Sequence, residues 1–133
     1  MADPTRGVLD TSVVIDHDVI EAALLPDESA ISAVSLAELA AGHHATENKD
    51  DRARRQDRLH WATTTWDPLP FDAESARMYG RMFAAARAAG QSSRARLADL
   101  LIASTAAANG LPLYTRNASD FDALKRIIKV IGI

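Results

Sequence analysis

Apolar residues in this chain come in short bursts separated by polar turns. Gly7-Val8-Leu9-Asp10 is apolar until it halts at an acid, and Val13-Val14-Ile15 follows after Thr11-Ser12, a pattern that predicts a strand, a turn and a helix. Ala30-Ile31-Ser32 predicts a second strand. Ser35-Leu36-Ala37-Glu38 has the Ser-x-x-Glu form of a capping box, so a helix is predicted there, with Leu36, Leu39 and Ala40 apolar and Gly42 at its end. From Asn48 to Thr65 the chain is charged with few apolar positions, which predicts an outer helix anchored by Trp61. Trp66-Asp67-Pro68-Leu69-Pro70-Phe71 carries two prolines and belongs at a sheet edge. Asp72 is placed to cap a long helix in which Ala76, Met78, Tyr79, Met82, Phe83 and Ala86 recur at helical spacing, away from Arg77, Arg81 and Arg87, until Gly90 stops it.

A further helix is expected to open at Ser92 or Ser93 and run through Leu97, Leu100, Leu101 and Ala103 to Asn109-Gly110. Pro112-Leu113-Tyr114-Thr115 predicts a strand, Asn117 to Leu124 a short helix, and Lys129-Val130-Ile131 a last strand. Strands and helices therefore alternate. Parallel neighbours need a crossover helix, so the alternation predicts an α/β fold with a parallel sheet covered by helices on both faces. No linker, repeat or low-complexity tract interrupts the 133 residues, and residues 1–133 read as a single domain.

A chain this long needs neither a disulfide nor a structural zinc to be stable, and with no cysteine it can make neither a disulfide nor a Cys-based zinc site. Thiol catalysis is excluded, and the absence of cysteine fits a reducing compartment. The N-terminus is polar and acidic, and no apolar stretch approaches the ~20 residues of a membrane span. The expectation is a cytoplasmic protein. Net charge is only −3, but residues 1–47 carry nine acids against Arg6 alone, while residues 48–133 carry fourteen bases against nine acids. Between Ser75 and Ser119 six arginines accompany a single acid, Asp99. Such a stretch either solvates helix faces or meets an anion.

In a sheet of this kind, strand C-termini and the N-termini of the following helices open on one edge, where ligands bind. Asp10, Glu38, Asp99 and Asp120 all fall on that edge. Each has a local explanation: Asp10 as a cap, Glu38 as the partner of Ser35, Asp99 as the partner of Arg96, and Asp120 three residues after Asn117. If they instead share a pocket, each pair about 4 Å apart would repel by about 4 kcal/mol at an effective dielectric constant near 20. They would then take up protons or bind a cation, and an oxygen-only donor set favours Mg²⁺ or Mn²⁺. Such an ion suits phosphodiester hydrolysis. Arg94, Arg96 and Arg116 are the bases closest in sequence to the acids and are candidates for binding a polyphosphate. Thr11, Ser12, Thr115 and Asn117 lie beside the acids as support, or as plain helix caps. His17, His43, His44 and His60 match no metal or triad spacing and read as surface residues; His43 and His44, if helical, would point apart.

Four segments resemble the PIN-domain ribonucleases, in particular the small VapC-type toxins of bacterial type II toxin–antitoxin systems. They are Val8-Leu9-Asp10-Thr11-Ser12, the stretch from Ile31 to Leu39 around Glu38, Ala98-Asp99-Leu100-Leu101-Ile102-Ala103, and the stretch from Leu113 to Phe121 around Asp120. The resemblance implies a three-layer α/β/α sandwich with a short, mostly parallel central sheet. It implies that Asp10, Glu38, Asp99 and Asp120 hold Mg²⁺ or Mn²⁺, with Asp10 and Asp99 the most direct ligands. It also implies endonucleolytic cleavage of RNA, a cognate antitoxin that blocks the pocket, and a homodimer. The apolar run Val13, Val14, Ile15, Val19, Ile20, Leu24 and Leu25 serves either the core or a groove for an antitoxin helix. Two other readings compete. A phosphoacceptor receiver domain wants an adjacent acidic pair after the first strand, which Asp10-Thr11-Ser12 lacks. A non-catalytic RNA- or partner-binding module would keep the fold without turnover.

Overall fold

The computed structural model describes residues 3–92, 94 and 96–133. Four short strands, β1 (Arg6–Leu9), β2 (Glu28–Ile31), β3 (Leu113–Thr115) and β4 (Val130–Gly132), form one sheet in the order β2-β1-β3-β4. Every pairing is parallel, with Leu9 opposite Ile31 on one side and Tyr114 on the other. Among the described residues five α-helices accompany them: α1 (Thr11–Ile15), α2 (Ala33–Gly42), α3 (Lys49–Thr65), α4 (Ala73–Ala88) and α5 (Leu97–Ala108). Short 3₁₀ turns cover His17–Val19, Ala22–Leu24 and Ala118–Leu124. Among the described residues no helix is long and apolar enough to cross a membrane.

Successive side chains of a strand point to opposite faces, and here both faces are buried. Val8 and Leu113 join Met82 and Ala86 of α4, Leu100 and Ala103 of α5, and Phe121 in one core cluster. Leu9 and Tyr114 join Val13 and Val14 of α1, Leu39 of α2 and Ala62 of α3 in the other. The sheet is thus the middle of three layers. Gly7 is required at its position because a Cβ there would drive into Cδ1 and Cε1 of the buried Tyr114 ring. The two-proline segment lies at the sheet rim as expected, joined by a parallel bridge between Ser32 and Leu69.

Several local expectations are corrected. The cap of α2 is Ser32, whose Oγ accepts from the Val34 amide at 2.9 Å, so the Ser35–Glu38 capping box does not form. The helix starts directly where β2 ends, which leaves Ser35 one turn inside it and fully buried. Helix α5 begins at Leu97, not at Ser92; Arg96 precedes it and supplies no side-chain cap. Ser93 lies outside the described residues. The Asn117–Leu124 helix is a 3₁₀ turn without a side-chain cap from Asn117. His43 caps the C-terminal end of α2 and His44 lies just beyond it, and instead of pointing apart their rings lie tilted by 40° to one another with centroids 3.9 Å apart. His17 is half-buried and packs edge-on against Trp61 and Trp66, at 5.1 and 5.9 Å. The apolar run divides: Val13, Val14 and Ile20 enter the core, while Ile15, Val19 and Leu24 are exposed.

Candidate active site

The site is built on the carboxyl ends of β1, β2 and β3. Asp10 follows β1 with extended backbone and caps α1, so the chain must turn there and the side chain is held at the helix entrance. Asp10 is 5% exposed, and a carboxylate that deep must be hydrogen-bonded to stay charged. Its Oδ1 accepts from the Thr11 amide at 2.8 Å. Its Oδ2 accepts from the Ser12 hydroxyl at 2.9 Å and from the buried Thr115 hydroxyl at 2.8 Å. Thr115 Oγ1 in turn accepts from the Asn117 amide at 3.1 Å, which fixes the direction of its own proton toward Asp10. The Arg116 amide donates to Ser12 Oγ at 3.2 Å, closing the loop between the two strand ends.

Glu38 reaches the same place from α2. Its Oε1 accepts from Thr11 Oγ1 at 2.6 Å, and Thr11 Oγ1 also lies 2.9 Å from Ser35 Oγ. The failed capping box therefore has a different use: Ser35 and Glu38, one turn apart on α2, both address Thr11. Ser35 is a site residue that the sequence pattern attributed to the helix end. Helix α5 runs back to the sheet before β3, so its first turn faces the rim where β3 finishes, and it carries Asp99 there. Asp120, from the 3₁₀ turn after β3, comes to the same edge.

The carboxylates sense one another. Asp99 is pushed up to about 6, first by burial and next by the negative charge of Asp10; Arg96 opposes the rise, and Asp120 and Glu38 add to it. Arg96 is the local counter-ion, 3.0 Å from Asp120 and 3.6 Å from Asp99. Of the three arginines expected to face a polyanion, Arg96 is thus already engaged by the acids, Arg116 lies 3.4 Å from Asp16, and Arg94 is exposed. Among the described residues no three acidic or histidine side chains are closed up tightly enough to cage an ion as they stand. Unneutralised carboxylates repel, and the Arg96 guanidinium spans two of them. The donor chemistry nevertheless suits a hard divalent cation: four carboxylates, no sulfur and no imidazole among them, with Asp99 destabilised as an anion by its neighbours.

Beside Thr11 and Glu38 opens a cavity of about 500 Å³ lined by α1, α2 and α3, with Arg54, Arg55 and Arg58 along its α3 wall. The sequence marked this helix only as charged and external, because nothing in its spacing reveals that it folds back across α2.

The family model that describes the PIN domain matches residues 7–127. Ribonuclease VapC5 of Mycobacterium tuberculosis is 40% identical over 124 residues, spanning 91% of this chain and 89% of that protein. VapC ribonuclease Y4jK of Sinorhizobium fredii is 34% identical over 125 residues, spanning 92% and 81%. Among solved structures, a chain of VapBC-5, a member of the VapBC family of toxin-antitoxin systems from Mycobacterium tuberculosis, superposes with a TM-score of 0.85 at 37% identity. That match covers 98% of this chain and all of the other.

Proposed function

Since the chain belongs to the PIN-domain family, we propose that it is an endoribonuclease and the toxin of a toxin–antitoxin pair, acting in the cytoplasm. The observation that carries the reading is the convergence of Asp10, Asp99, Asp120 and Glu38 on one sheet edge, where burial first, and then the charges of the other three acids, raise Asp99 well above an ordinary carboxyl. In this reading Asp10, Glu38, Asp99 and Asp120 would hold Mg²⁺ or Mn²⁺, Asp10 and Asp99 most directly. Such an ion would supply Lewis-acid polarisation of a phosphodiester and activation of a water for hydrolysis.

The chain's own residues do the positioning. Ser12 and Thr115 both donate to Asp10 Oδ2 and the Thr11 amide to Oδ1, so the carboxylate is held in one orientation at the helix entrance. Thr11 ties the exposed Glu38 to the α1 entrance and sets the width of the acidic mouth. Arg96 offsets part of the negative charge while remaining about a third exposed, in reach of an incoming phosphate. The relatives named ribonucleases support the activity, and the likeness to a VapBC chain supports a cognate antitoxin as partner. Exposed Ile15, Val19 and Leu24 offer an apolar surface for that partner or for a second copy of this chain.

Total RNA incubated with the protein and Mn²⁺ or Mg²⁺ is expected to be fragmented, and EDTA to stop it. Asp10→Asn is expected to abolish cleavage and growth arrest together while the circular dichroism spectrum is unchanged. Cleavage retained by the folded variant, or RNA bound without fragments and without regard to chelator, refutes the assignment, the latter in favour of a binding module.

A further inference from the structure

We propose that the groove between α2 and α3 binds the RNA backbone beside the scissile bond, with Arg58 and Arg55 as its phosphate-binding residues. This rests on the ribonuclease reading above and adds to it a site on a helix that carries none of the four acids.

The groove has an acidic end and a basic end. Thr11 and Glu38, both of the carboxylate site, form one end, so whatever occupies the cavity is continuous with the acids. Arg54, Arg55 and Arg58 lie along the other wall, and their i, i+1 and i+4 spacing puts them on one side of α3. Their charges are not equally available. Arg54 is paired with Asp51 in the preceding turn. Arg55 forms no ion pair among the described residues; its Nη1 donates to the Gly42 carbonyl at 2.8 Å, which pins the guanidinium at the end of α2 and leaves its other N–H groups free. Arg58 has neither ion pair nor hydrogen bond among the described residues, although Asp18 and Asp57 line the adjoining hollow. Two cationic groups with no ion pair among the described residues therefore line the cavity, Arg55 held by the Gly42 carbonyl and Arg58 held by no hydrogen bond.

A ligand must satisfy both ends. An acidic peptide would suit the arginines but would meet like charge at Glu38. A phosphodiester chain suits both in the ribonuclease reading, where a divalent cation held by Asp10, Glu38, Asp99 and Asp120 would offset the charge of the phosphate nearest them, while the neighbouring phosphates meet guanidinium groups suited to bind them bidentately. The volume of about 500 Å³ is of the order of a small-molecule site, enough for a nucleotide-sized piece of chain.

The test uses full-length protein carrying Asp99→Asn, so that RNA survives, and a fluorescein-labelled single-stranded RNA dodecamer of mixed sequence, followed by anisotropy from low to moderate salt. Arg58→Gln is expected to weaken binding several-fold and to flatten the plot of log K against log[salt] by about 0.7, the value for one lost phosphate contact on a single strand. Arg55→Gln is expected to do the same, and Arg58→Lys to keep most of the slope. Arg81→Gln, on α4 and outside the groove, is expected to change neither. A slope unaltered by Arg58→Gln and Arg55→Gln, or a parent protein that does not bind the dodecamer, overturns the proposal and leaves the groove to a protein partner. A slope lost on misfolding is recognised from the melting curve and from failure of Arg58→Lys to restore it. The ribonuclease reading stands or falls separately, on Asp99-dependent fragmentation of total RNA by the otherwise wild-type protein.

Discussion

Asp99→Asn is expected to strengthen the fold while removing the activity. Burial and the charge of Asp10 raise the Asp99 carboxyl from an ordinary 3.8 to about 6, so between these pH values the folded chain holds a proton that the unfolded chain has released. The folded state is favoured by this group below about pH 4, and that advantage is lost as the pH rises through about 6. At 1.36 kcal/mol per pH unit, the gap corresponds to about 3 kcal/mol as an upper bound. With 32% of the side chain in contact with solvent, screening reduces this to about 1–2 kcal/mol. Asparagine carries no charge to be penalised. In urea titrations with chelator present, the variant should match the parent near pH 4 and exceed it by about 1–2 kcal/mol at pH 7.5. Saturating Mg²⁺ should then stabilise the parent and leave the variant nearly unmoved. A variant less stable than the parent by the same amount at both pH values would mean that Asp99 is not held in a cluster of like charges, and the cation site would lose its physical basis.

Two further substitutions probe the frame around the site. Thr115→Val keeps the shape of a fully buried side chain but strips one of the hydroxyls from Asp10 Oδ2, and should cost about 2 kcal/mol in urea denaturation, with Thr115→Ser recovering most of it. An unchanged midpoint would show that Ser12 alone satisfies the oxygen. Gly7→Ala pushes a methyl into the Tyr114 ring and should cost about 1–3 kcal/mol, a loss that Tyr114→Val should partly relieve when the two are combined. Simple additivity in that double-mutant cycle would place the clash elsewhere.

What the sequence made legible follows the range of the interactions involved. Alternating short apolar runs and helical patterns were enough to place all four strands and the parallel sheet, because burial on both faces and crossover connections leave few other arrangements. The four acids were singled out through topology, since strand ends and helix starts share an edge. Signals of three or four residues were less secure. Ser35 and Glu38 have the spelling of a cap, yet where α2 begins is decided by the end of β2, and Ser32 does the capping. The His43 and His44 rings meet at the end of α2, where the i,i+1 rule for a helix interior does not decide the side-chain directions. The choice of cationic residues was the least legible. Proximity in sequence pointed to Arg94, Arg96 and Arg116, of which Arg94 is exposed and the other two pair with nearby aspartates, while Arg55 and Arg58 reach the groove through the packing of α3, which no local pattern encodes.

The hydrogen bond from Thr115 to Asp10 joins residues 105 positions apart. During synthesis the first strand and its aspartate are made early and must wait for almost the whole polypeptide before this partner exists. Contacts so distant are also the slow ones to form. A half-made chain on the ribosome therefore carries Asp10 without the hydroxyl that holds it, and the acidic edge acquires its geometry only when the last strands have emerged and docked.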